Sequence, residues 1–260
     1  MVNTHPIDNL PIWGIYLLTI TILFVCIQIG YRLGLYIQKR WHDHSKEAVS
    51  MMVAASLAFL GFLLALVSSI AMDIFHNRLL LVIKEANVIG TTYLRTDFLE
   101  EPYASESRNL LSEYVDSRVS NLDLAHIDIA INHAEKIQNE LWQRATNYAK
   151  NNPSPITGLY ISSLNDLIDV NIERINTELS IRVPPAFMQG LYLVAMMTML
   201  MIGLHNSYSE KQNYLSHLLL VLILSIVFLV IFDLDRSHQG LLRVPQKALL
   251  DLQLSLQAIR

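Results

Sequence analysis

Charge is scarce in this sequence. Only 16% of its 260 residues are charged, against about 25% in an ordinary soluble domain. The formal net charge is −4, which leaves no basic surface for a nucleic-acid partner held by counterion release. Cysteine is nearly absent. Cys26 stands alone, so one chain can build neither a disulfide framework nor a cysteine-based zinc site. The nine glycines form no phosphate-cradling loop. Gly-x-Ser-x-Gly, His-Glu-x-x-His and Cys-x-x-Cys are all missing. No catalytic residue, metal-ligand set or cofactor is therefore expected, and the chain does not read as an enzyme. Strand-like alternation is also lacking.

What the chain has is apolar residues in runs. Hydrophobic residues make up 52% of it, and they bunch into four stretches: 12–29 (extending to Tyr36), 48–72, 186–204 and 215–232. At about 1.5 Å per helical residue, each can cross a hydrocarbon layer about 30 Å thick. Trp13 and Tyr16 at one end of the first run, and Tyr31, Tyr36 and Trp41 at the other, form the two halves of an aromatic belt. The first run reads as a span rather than a signal peptide, because residues 1–11 hold no Lys or Arg and no small-residue cleavage site follows.

Between the second and third spans lies a polar stretch, 77–185, with ten Lys/Arg against fifteen Asp/Glu. Its two glycines are Gly90 and Gly158, and its prolines cluster at a few turns. Leu79, Ile83, Ala86, Gly90 and Tyr93 recur at helical spacing, which predicts that the second span continues well beyond the membrane. Three further helices are expected around 110–118, 127–148 and 161–179. The fold class is thus an all-α integral membrane protein. Residues 1–76 hold two spans and a short basic loop, 77–185 a helical bundle outside the bilayer, and 186–236 two more spans. Residues 237–260 hold an amphipathic helix with Leu249, Leu252, Leu256 and Ile259 on one face.

The loop between the first two spans is flanked by Arg32, Lys39, Arg40 and Lys46. By the positive-inside rule it faces the cytoplasm, which puts 77–185 on the extracytoplasmic side of a cytoplasmic membrane. His42, Asp43 and His44 in this loop, and His205 and His217 around the third-to-fourth loop, read as solvated.

The second span carries the clearest pattern. Ala54, Ala58, Gly61, Ala65, Ser68 and Met72 step by helical spacing, and all but the last are small, with Ala55 and Ser69 beside them. Small residues let helices approach closely where lipid gives no hydrophobic drive. The stripe is either a seam within the protomer or a seam or pore wall around an oligomer axis. Gly30 and Gly34 make a second, weaker pair. Ionisable residues gather where the spans end: Asp73 and His76 after the second, and Asp233, Asp235, Arg236 and His238 after the fourth. Such groups near hydrocarbon need partners or water. They form a structural pair such as Arg236 with Asp73 or Asp233, a cation-attracting ring, a divalent site, or a proton relay through His76 or His238.

Several segments, in order, carry a resemblance. They are the basic first loop, Leu60-Gly-Phe-Leu-Leu-Ala-Leu66, and Glu85-Ala-Asn-Val-Ile-Gly-Thr-Thr-Tyr-Leu-Arg95. Leu111-Ser-Glu-Tyr-Val115, Leu164-Asn-Asp-Leu167 with Glu173-Arg174, Pro184-Pro185 and Leu234-Asp-Arg-Ser-His-Gln-Gly-Leu-Leu-Arg-Val244 follow. The chain resembles the bacterial four-span proteins called bestrophin-like domain proteins. Members usually show Asp, one residue, Pro, an aromatic, one residue and Gly in the last segment. This chain keeps Asp235 and Gly240 but has Ser237 and His238 between them. The resemblance implies the four-span architecture. By analogy with bestrophins, oligomeric anion channels whose soluble domain is cytoplasmic, it also implies ion conduction.

The expected function is an oligomeric ion channel, embedded in a lipid bilayer and passing an inorganic ion. The second span (Gly61, Ala65, Ser68, Ser69) would line its pore, with Asp73 and His76 at the mouth. The alternative is a non-conducting membrane sensor or scaffold whose helical domain binds a partner.

Overall fold

The computed structural model describes residues 11–40, 46–120, 127–208, 214–236 and 240–259. Among the described residues there is no strand. In chain order the helices are α1 (Ile12–Arg40), α2 (Lys46–Arg95), α3 (Tyr103–Ser120), α4 (Ile127–Asn151), α5 (Pro155–Leu179), α6 (Pro185–Asn206), α7 (Tyr214–Asp235) and α8 (Lys247–Ile259). A 3-10 turn, Thr96–Phe98, follows α2. Among the described residues four helices, α1, α2, α6 and α7, are long and apolar enough to cross a membrane. The continuation predicted from Leu79 to Tyr93 is present: α2 runs unbroken for 50 residues.

The chain divides into two compact units. One takes the described residues of 4–74 and 182–242; the other takes those of 75–181 and 243–260. The first is the membrane unit. In it α1 packs on α6 and α7. Leu23 and Ile27 of α1, Leu191, Ala195 and Met199 of α6, and Val221, Phe228 and Ile231 of α7 are buried. From α2 the unit buries Leu60, Leu64, Val67, Ala71 and Ile74, a row at helical spacing.

The α1–α6 seam sits at glycines. A Cβ on Gly30 would run into the carbonyl of Leu200, and one on Gly203 into the carbonyl of Ile27. A Cβ on Gly34 would meet Ser207. The fainter of the two small-residue signals is therefore the tight helix contact inside the protomer, because Gly30 gives up its side chain to a facing backbone and Gly34 to a facing serine.

The second unit is a bundle of the last turns of α2 with α3, α4, α5 and α8. Its core includes Val82, Ile89 and Tyr93 of α2, Leu111 and Tyr114 of α3, and Leu141 and Ala145 of α4. Tyr160, Leu164 and Leu167 of α5 and Leu249 and Leu256 of α8 complete it. The apolar stripe of α8 is thus spent on the bundle. Helix α5 starts where the sequence signals a start: Ser154 accepts the Ile156 N–H and Pro155 takes the first turn.

Candidate functional site

The exposed side of α2 comes first. In the membrane unit, Ala54, Ala58, Gly61, Ala65 and Met72 lie on the outer surface of the protomer and Ser68 is half-buried. A Cβ on Gly61 would meet nothing within 4 Å. The small-residue stripe is therefore not a seam inside the protomer, whose contact row is Leu60, Leu64, Val67 and Ala71. The candidate residues also do not share one line. Successive residues turn by about 100°, which places Ser69, Phe62 and Asp73 on a second exposed flank about 80–120° round from Gly61. Asp73 is exposed, and so is His76 in the other unit. From residue 48 to 83 these two are the only exposed ionisable side chains.

The carboxylates at the end of α7 do different work from the open ring envisaged. Asp233 is 2% exposed. One of its oxygens accepts the Leu241 N–H and the other the Leu242 N–H, both at 2.8 Å. A Cβ on Gly240 would strike the same carboxylate, which is why glycine stands there. Asp235 accepts the Val183 N–H at 2.7 Å and lies 3.6 Å from the Arg182 guanidinium. It ties the end of α7 to the residues that lead into Pro184-Pro185. Arg236 is buried. These carboxylates close turns, because a buried carboxylate is most cheaply satisfied by nearby N–H donors. His238, with Ser237 beside it, lies outside the described residues, as do His42, Asp43 and His44. His217, read above as solvated, is buried in α7, its Nε2 against the Asn206 amide of α6.

A third constellation was not singled out from the residues. Glu85 of α2 is fully buried in the second unit. It accepts from the Tyr114 hydroxyl of α3 at 2.9 Å, and the Arg118 guanidinium sits 3.0 Å away. Arg174 of α5 also donates to it. The same guanidinium donates to Glu178 at 2.9 Å and to Gln246, ahead of α8, at 2.9 Å. Two carboxylates balance two guanidiniums, as burial demands. Burial by itself would lift the Glu85 carboxyl, but Arg118, Arg174 and the Tyr114 hydroxyl outweigh it and hold Glu85 below the usual carboxylate range. Burial and the neighbouring Glu85 charge push the Tyr114 phenol well up, so it stays a donor. Further out, Thr92 shares its hydroxyl hydrogen between the Val88 carbonyl at 2.8 Å and the Ser163 carbonyl at 3.1 Å, and Arg95 donates to the Leu159 carbonyl. Glu85, Thr92, Arg95, Tyr114 and Arg174 all fall in segments that carried the resemblance. Those segments hold the bundle together.

A family profile described as Bestrophin-like domain matches residues 21–249. Among solved structures, a variant of a bacterial bestrophin homologue from Klebsiella pneumoniae superposes with a TM-score of 0.58 at 14% identity. The match covers 94% of this chain and 97% of that one. Another, described as a membrane protein, gives 0.58 at 16% identity, over 95% of this chain and 98% of its own. Comparison with curated proteins found no match.

Proposed function

The chain belongs to the Bestrophin-like domain family, and on that footing we propose that it is an oligomeric ion channel of a bacterial cytoplasmic membrane, with α2 against the conducting path. One observation carries this reading. Along its span α2 leaves a wide apolar and small-residue face uncovered, and the ionisable groups on its outer surface there are Asp73 and His76. Repeated by symmetry around an axis, the stripe from Ala54 to Ser68 gives closely packed helix walls. Ser69 supplies a hydroxyl, and Asp73 gives a negative ring that favours cations. Symmetric assembly supplies the partner that a single protomer lacks for this face.

The test is electrical. Purified protein in liposomes passes current, and Asp73→Asn moves the reversal potential in a salt gradient away from cation preference. Bilayers silent across a range of salts and pH would sink the channel and leave a non-conducting sensor or scaffold. The charge rule favours 77–185 outside, and analogy with bestrophins favours the cytoplasmic side. Labelling of Glu113→Cys in a Cys26→Ala background by an impermeant maleimide on intact cells decides between them.

A further inference from the structure

We infer that the turn after α7 is a membrane-interface anchor: Leu241 and Leu242 are held out of the protein to enter the acyl-chain boundary of the phospholipid bilayer. Leu241 is 77% exposed and Leu242 43% exposed. Two adjacent leucines on an aqueous surface call for a reason when their backbone is fixed. Here it is fixed twice. Both N–H groups end on the buried Asp233 carboxylate, and Gly240 is the only residue type that fits against it.

The same bonds set the depth. The backbone N–H groups of residues 241 and 242 sit on the carboxylate of Asp233, one residue beyond Phe232 and the apolar run of the span. Val230, in the last turn of that run, is itself 41% exposed on the helix surface. An exposed apolar residue of the span and the two exposed leucines are thus found within a few residues of the same helix end. Arg243 follows in sequence and is exposed, so a cation stands beside the leucines for a headgroup phosphate. Lipid fits this pattern, two apolar side chains and then a cation at the end of a span. The inference does not depend on conduction.

The experiment uses full-length protein in phosphatidylcholine–phosphatidylglycerol vesicles, with Cys26→Ala as background and a nitroxide attached at Leu241→Cys. Collision rates with oxygen and with a water-soluble nickel chelate are compared, and a label at Val230→Cys gives the lipid reference. The expected result is oxygen access well above nickel access, with a depth shallower than that at position 230. Nickel access exceeding oxygen access would overturn the anchor, since the turn would then be in water. Low access to both would also overturn it, by placing a protein surface such as a second copy over the leucines. Asp233→Asn is expected to weaken the clamp and move the Leu241 label toward water. Should that variant fail to fold, the unmodified turn still decides the question.

Discussion

Within the spans of the membrane unit, hydroxyls such as those of Thr19, Thr21 and Ser56 bond back to their own helix. Thr19 donates to the Ile15 carbonyl and, having no second hydrogen, accepts from the Tyr192 hydroxyl at 2.7 Å. Close packing there rests on glycine against backbone. In the bundle of 75–181 and 243–260, polar atoms gather instead into one charged knot, Glu85 with Arg118, Arg174 and Glu178, reached from α2, α3 and α5 and joined by Gln246. The difference follows from solvent. Lipid offers unpaired charges nothing, so the spans carry few and rely on contact distance. In the bundle charged residues are frequent, and their burial selects one arrangement of helices.

The contrast can be broken at either end. Removing one charge from the knot should have the largest effect. Arg174→Ala leaves Glu85 and Glu178 buried and short of a partner, and should cost about 3–5 kcal/mol. Thermal unfolding in detergent would register it as a large drop in the unfolding midpoint. Next comes the glycine seam. Gly203→Ala forces α6 off α1 and should cost about 1–3 kcal/mol as overpacking. Gly61→Leu, facing open space, should leave protomer stability unchanged and instead shift the detergent-solubilised mass toward monomer. Equal destabilisation by the two substitutions would erase the distinction drawn between the stripes.

Acid should act on the bundle through Glu85. Its carboxyl titrates below the usual range when folded. Its contribution is therefore complete above the unfolded carboxyl's pKa, about 4.3, and is lost as pH falls through the lower folded value. The unfolding midpoint should drop on acidification below about pH 4, and Glu85→Gln should flatten that dependence. Smallest of all, Lys84→Ala breaks the 2.6 Å pair with Glu173, whose side chains are both more than half exposed. It should cost between about 0 and 1 kcal/mol. A larger value would mean that the bundle's surface charges act with the buried set.

Periodicity made most of the fold legible. The four apolar runs, the continuation of α2 through Tyr93 and the helices of 77–185 each follow from spacing inside one segment. What stayed hidden needed two segments at once. Gly30 gives only a weak signal because its partner, Leu200, is 170 positions away and only the α1–α6 pairing makes it a contact. Glu85 and Arg174 are 89 positions apart. Nothing local marks either as buried, although both lay in segments that carried the family resemblance. Asp233 and Asp235 were legible as costly groups near hydrocarbon. Their partners, backbone N–H groups, are carried by almost every residue and leave no mark in a sequence. The small-residue stripe of α2 announced close packing without saying which neighbour it meets.

Helix α2 has a consequence for how the molecule comes apart. Its 50 residues form a wall of the membrane unit up to Ile74 and of the bundle from Phe75 onward, with no loop between them. Helical hydrogen bonds run on through residues 74 and 75, so fraying of α2 on one side removes the template for the turns that follow. A single cooperative unfolding step, rather than two separate ones, is the signature such a shared helix should leave in a calorimeter.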